Sequence, residues 1–249
     1  SPSTSGASCG PASAIKASTS PFTGQGVIVA VLDTGVDVEH PDLKGNIWTN
    51  RWEIPANGID DDHNGVVDDI HGYNAIDNNG NVKDAGEHGT HVAGIIGAVG
   101  NNGQGISGIN WQTQIMPIRI FDANGNSSVE AIINGIHYAQ DQGATILNCS
   151  FGGAADYIPE LHRAMAEFPG LIVCSAGNSG SDNDVSPHYP SSFDNDNLIS
   201  VAASSRADKL CFTSCYGATS VDVGAPGEQI LSTIPNGRYG IKSGTSQAA

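Results

Sequence analysis

"VIVAVLDTG", residues 27–35, is apolar and largely β-branched up to Leu32 and then turns polar at Asp33. An alternating pattern would mark a strand with one wet face. A continuous apolar run marks a strand buried on both faces, as in a parallel sheet. "HGTHVAGIIGAVG", residues 88–100, is small and apolar all round and predicts a buried helix. "QIMPIRI", residues 114–120, predicts a strand. "SSVEAIINGIHYAQDQG", residues 127–143, predicts a helix with Ser127 as N-cap and Glu130 at capping-box spacing. Its apolar Val129, Ile132, Ile133 and Ile136 follow the helical period, and Gly143 marks the stop.

"TILNC", a helix near residues 158–168, "LIVCS", "LISVAA", "VDVGAP" and "QILSTI" follow. Strand and helix alternate through most of the chain. The expected fold is therefore α/β, a doubly wound, mostly parallel sheet with helices on both faces. In such sheets functional side chains gather at the carboxyl ends of strands. Residues 1–23, rich in Ser, Ala, Thr and Pro, read as an irregular lead-in, and 24–249 as one domain.

Ten Lys and Arg stand against 26 Asp and Glu, a net charge of −16. Such a chain repels nucleic acid and anionic membrane surfaces, so neither is an expected partner. No apolar run is long enough to span a membrane. The five cysteines form no CxxC framework. Cys211 and Cys215 are close enough to bridge if their loop turns back, Cys149 and Cys174 read as small core hydrophobes, and Cys9 is left over.

Three short motifs carry chemistry. Asp33 ends the first strand in "VLDTGV", His88 opens the buried helix in "EHGTHVAG", and Ser246 stands in "SGTSQAA". Singly, each has a structural reading: a turn-forming Asp, a capped His, an N-cap Ser. Together, in the order Asp, His, Ser, they match one of the chain orders of a serine-protease triad. Asn178 in "CSAGNSG" stands among glycines after another buried strand.

These four motifs resemble those of the subtilisin-like serine proteases, the subtilases, from about Ile15 to Ala249. The resemblance implies a serine endopeptidase of the secretory pathway or outside the cell. Ser246 would be the nucleophile, His88 the general base and acid, Asp33 the group that orients His88, and Asn178 the oxyanion donor. A helix beginning at Ser246 would add the positive end of its dipole. It also implies an extended substrate held between residues 123–127, with Gly125, Asn126 and Ser127, and residues 150–153, with Ser150, Phe151, Gly152 and Gly153. Ser175 and Ala176 would line the P1 pocket with the glycines. Val129, Ile132 and Phe151 would form an apolar S4 pocket, with ordinary core packing the other reading for all three, as strong as the first at Ile132. The family is made with an inhibitory propeptide, so a zymogen precursor is expected.

"GIDDDHNGVVDDIHG", residues 58–72, places Asp60, Asp62 and Asn64 at alternate positions, followed by Gly65, the Val66 carbonyl and Asp69. This begins like a D-x-D-x-N-G calcium loop, but His71 stands where an EF-hand has Glu. Carboxylates crowded into one turn need a counter-ion, and the expected one is Ca2+. A second calcium set is implied by the resemblance alone: Asp42, Asn102 and the carbonyls of Gly100, Gln104 and Ile106.

Two features depart from the family. Gln247 replaces the usual Met after the nucleophile, which removes an oxidisable thioether and adds an amide near the oxyanion. The family also continues into a long central helix beyond this point, so the resemblance implies a catalytic domain lacking its C-terminal part, with the sheet face under that helix uncovered. The alternative functions are a non-catalytic, calcium-stabilised scaffold that binds peptides, and a purely structural calcium module. The sequons at Asn126 and Asn148 are weak signals, since Asn148 falls in a buried strand.

Overall fold

The apolar runs close into one parallel sheet. The computed structural model describes residues 22–154 and 156–249, so most of the lead-in and Cys9 lie outside the described residues. The elements are β1 (Ile28–Asp33), β2 (Tyr73–Asn74), α1 (His88–Gly97), β3 (Gln114–Arg119), α2 (Val129–Asp141), β4 (Ile146–Cys149), α3 (Pro159–Glu167), β5 (Leu171–Ser175), β6 (Leu198–Ser204), β7 (Val223–Pro226), β8 (Ile230–Ile234) and β9 (Arg238–Lys242). A 3-10 turn, Thr245–Gln247, follows. The seven-stranded sheet runs β2-β3-β1-β4-β5-β6-β7, and each pairing is parallel.

Successive residues of β1 feed opposite layers. Ala30 and Leu32 join the cluster under α2 and α3, with Ile136 and Leu161. Val31 joins the one under α1, with Val92 and Ala93. The continuous apolar run therefore reflects helices on both faces, as expected. Leu32, Leu147 and Ile172 are fully buried, and each such side chain contributes about 1.5–3 kcal/mol of transfer free energy.

The helix over residues 127–143 is found with a one-residue correction. Its N-cap is Ser128, not Ser127: Ser128 is extended and its hydroxyl accepts from Ala131 N. Both serines have the chemistry, and the backbone turn selects the second. Gly143, at φ +81°, lies just beyond the C-cap.

β8 and β9 form an antiparallel hairpin outside the main sheet. It lies across α1, whose Gly94 leaves the room: a Cβ there would be 2.2 Å from Thr233 Oγ1. Ser232 and Thr233 hydroxyls donate to His91 O and Thr90 O, and His91 Nε2 lies 3.1 Å from Ile230 O and 3.2 Å from Gly240 O. An apolar cavity of about 280 Å³ opens on the α1 side of the sheet, lined by Val29, Ile146 and Val173 of the strands, Ile95 and Ile96 of α1, and Gln247 to Ala249.

Cys211 and Cys215 are both free, so the bridge that their spacing would allow is not formed. Their backbones are anchored to different segments: Cys211 N bonds Ala203 O while Cys215 N bonds Gly177 O. Cys149 and Cys174 are buried register partners on β4 and β5.

Candidate active site

Asp33 ends β1 and is 1% exposed. His88 is the first residue of α1, and its Nδ1 lies 2.9 Å from Asp33 Oδ1 and 2.8 Å from Oδ2. An ionised carboxylate only accepts, so Nδ1 carries the proton and Nε2 is left with its lone pair. Burial pulls the His88 pKa down, but the Asp33 hydrogen bond and charge outweigh it and hold it above the ordinary histidine value.

The start of α1 is held by a residue outside the motifs. Glu87, the N-cap, has φ 67° and makes no side-chain cap bond. Asp84 takes that part: its Oδ1 accepts from Gly86 N, Glu87 N and the Thr34 hydroxyl, and its Oδ2 from Thr90 N and the Thr90 hydroxyl. A carboxylate placed against the free N–H groups of a helix start satisfies them and matches the helix dipole. Through Thr34, the same carboxylate ties the turn after Asp33 to the turn before His88.

Ser246 is 9% exposed and lies in the 3-10 turn. Its hydroxyl donates to Ser150 O at 3.0 Å, and Ser150 Oγ donates to Ser246 O at 3.1 Å. Among the described residues no hydrogen bond joins Ser246 to His88. Thr245–Gln247 form a 3-10 turn, in which Gln247 N bonds Gly244 O and Ala248 N bonds Thr245 O, and Ala249 N also bonds Thr245 O, the spacing of an α-helical turn.

Asn178 is exposed after β5. Its Oδ1 accepts from Thr245 N at 2.9 Å and from the Thr245 hydroxyl at 3.2 Å. That fixes the amide with its NH2 end free. Gln247 is 4% exposed and its Nε2 has no partner. Its side chain borders the apolar cavity.

Val129, Ile132 and Phe151 come together, with Phe121, Ile158 and Tyr189, around an apolar pocket of about 320 Å³. They also pack against the core from outside, so Ile132 is at once a wall of this pocket and part of the packing around the core. Gly125, Asn126 and Ser127 are exposed. They belong to a turn around Asp122, whose Oδ1 accepts from Asn124 N and Asn126 N. Gly153 pairs with Tyr189 in both directions at 3.0 Å. Ser150, Ser175 and Ala176 are buried at the ends of β4 and β5.

In the acidic loop, Asp60 accepts from Asn64 N and Gly65 N. Asp62 accepts from Asn50 and Asn64. Asp69 lies behind the loop, fully buried and bonded to Asn50, Asn64 and the Tyr138 hydroxyl. Val66 is buried, and its N–H bonds Asn64 Oδ1. The sequence reading missed Glu53. It is 6% exposed, its Oε1 accepts from Asp61 N and Asp62 N, and its Oε2 has no partner. One oxygen each from Glu53, Asp60 and Asp62 lie within 4.8 Å of one another.

The second expected calcium set is joined by hydrogen bonds. Asn102 donates its amide to Asp42 Oδ1, Ile106 N and the Tyr239 hydroxyl donate to Oδ2, and Asn102 Oδ1 accepts from Gln104 N. Gly100 is near, with Val99 N bonded to Asp42 O. Ligand oxygens of Asp42 and Asn102 thus face protein donors.

The shape is subtilisin-like: a cold-adapted subtilisin-like serine proteinase matches with TM-score 0.72 and 27% identity over 92% of this chain and 73% of its own. The Subtilase family model matches residues 24–249, and the chain belongs to that family. It is 39% identical over 232 residues to the major intracellular serine protease of Bacillus subtilis (strain 168), covering 91% of this chain and 66% of that protein. Thermitase of Thermoactinomyces vulgaris is 34% identical over 227 residues, covering 90% of this chain and 71% of thermitase. The expected secretory location gains no support from these relatives, one of which is named as intracellular. Among the described residues no helix is long and apolar enough to cross a membrane.

Proposed function

We propose that the chain is the catalytic domain of a serine endopeptidase acting through Asp33, His88 and Ser246. The observation that carries this is the Asp33–His88 pair, whose hydrogen bond through Nδ1 leaves Nε2 with its lone pair, in a chain that also buries the Ser246 hydroxyl. When an extended polypeptide lies in the cleft, the Ser246 hydroxyl exchanges Ser150 O for His88 Nε2. Oγ attacks the scissile carbonyl carbon and its proton passes to Nε2. The oxygen's developing charge is taken by Asn178 Nδ2 and Ser246 N–H. Collapse breaks the C–N bond as His88 returns the proton to the leaving amine. Water, deprotonated by His88, then releases the acyl group.

Calcium belongs to the same proposal. Glu53, whose buried Oε2 has no partner, clusters with Asp60 and Asp62, and such a set fits a hard cation, which prefers carboxylate oxygens. Bound there, Ca2+ would neutralise the loop packed behind β2 and α2. A propeptide occupying the cleft of a precursor is the partner this reading implies.

Mass spectrometry of an unstructured polypeptide incubated with the protein tests the reaction. New peptide ends are expected with the wild type and none with Ser246→Ala. Asn178→Ala should slow cleavage by on the order of 10²–10³. Equal cleavage by the Ser246→Ala protein would reject the role of that serine.

A further inference from the structure

Gly152 and Gly177 follow β4 and β5, and one side chain lies against both. A Cβ on Gly152 would be 2.4 Å from His188 Cε1, and a Cβ on Gly177 would be 2.7 Å from His188 Cδ2 and 2.9 Å from Nε2. The imidazole is thus wedged between the two backbone segments expected to flank a P1 side chain. It is half-buried, so it keeps an open side.

The ring is held in one tautomer. The Ser191 hydroxyl donates to His188 O at 2.8 Å, which commits its only hydrogen. It can then only accept from the ring, and His188 Nδ1 lies 3.0 Å away. Nδ1 therefore carries the proton, and Nε2 is a lone-pair acceptor on the Gly177 side. Burial lowers the pKa of this ring, which keeps it neutral near pH 7. The backbone is fixed as well: His188 N bonds Ser192 Oγ, and the neighbouring Tyr189 pairs with Gly153.

We infer that His188 is the floor of the P1 pocket and determines its selectivity, admitting short side chains and favouring those that donate a hydrogen bond, such as Ser and Thr, over large aromatic ones. The inference rests on the protease reading above. An imidazole occupies the depth an aromatic P1 ring needs. Its unpaired acceptor discriminates against a P1 group that buries it without donating.

Peptidyl aryl phosphonates that differ only at P1, as Ser, Ala or Phe, test this by their rates of reaction with Ser246. Ratios are read within each protein, so a general change in reactivity cancels. The wild type should prefer Ser to Phe by about tenfold or more. His188→Gly should reduce that preference by about tenfold or reverse it. His188→Leu should keep the exclusion of Phe but bring Ser and Ala to within about threefold. A wild type that accepts Phe as readily as Ser, or unchanged ratios in both variants, would overturn the inference. A small fluorophosphonate with no P1 side chain separates the two readings: wild type that fails to react with it rejects the protease itself, and the P1 floor with it.

Discussion

His88 Nδ1 lies 2.8 Å from Asp33 Oδ2 although the two residues are 55 apart in sequence. The end of β1 and the start of α1 meet there. The carboxylate both chooses the tautomer and raises the pKa of the ring. Protonated His88 cannot act as a base, so reactivity of Ser246 should rise with pH through an inflection above about 6.5, the ordinary histidine value. In Asp33→Asn, burial is left as the main influence and the inflection should move down. The rate should also fall by about 10⁴, because the wrong tautomer is favoured. Labelling rates measured across pH in both proteins check the two effects together; an unmoved inflection would contradict the assigned partner.

Asp84 should matter nearly as much as a motif residue. It accepts from Thr90 N, Glu87 N and Gly86 N at the start of α1. Asp84→Ala should destabilise the fold by about 0.5–2 kcal/mol, the usual cost of a lost helix cap. It should also slow Ser246 labelling, since His88 is the first residue of that helix. Urea unfolding and labelling rate are the two measurements. A stability loss with no change in rate would reject a positioning part for Asp84.

His91 makes stability depend on acid. It is fully buried, and burial brings its pKa down to about 4, against a partial opposing effect of the Gly240 and Ile230 carbonyls. An unfolded histidine titrates near about 6.5. As pH falls between these values, the unfolded chain takes up a proton that the folded chain refuses. This contribution is therefore complete above about 6.5 and is lost toward 4, on the order of 3 kcal/mol in all. Urea unfolding at about pH 7.5 and about pH 4.5 should show a smaller acid loss in His91→Gln than in wild type.

The acidic loop should bind calcium through Glu53. Chelation should lower the melting temperature, and added Ca2+ should restore it. Glu53→Gln should weaken Ca2+ binding, measured calorimetrically, because it removes the charge of a buried carboxylate whose Oε2 has no partner. Identical melting curves with chelator and with Ca2+ would reject the site.

The sequence carried the framework and the motif residues, and the reason is local. A run such as residues 27–32 is apolar because both faces are covered, and that is written in consecutive letters. Asp33, His88 and Ser246 lie at element ends within short, recognisable patterns. Other contributors leave no such trace. Asp84 turns back onto α1 from a polar loop where any of several acids had the same composition. Glu53 stands outside the alternating acids and joins them only through the fold of the loop. His188 has no motif at all; its place depends on two glycines that follow different strands. The slip from Ser128 to Ser127 has a simpler cause, since adjacent serines are chemically equal caps. β9, Arg-Tyr-Gly-Ile-Lys, leaves no strand signal because it holds no continuous apolar run and none of its residues is buried.

The most direct measurement is the site of covalent modification by a fluorophosphonate, located by peptide mass spectrometry. The proposed triad predicts one adduct, on the peptide containing Ser246, and none in Ser246→Ala. An adduct elsewhere that survives in Ser246→Ala, or no adduct on Ser246 in the wild type, would contradict it.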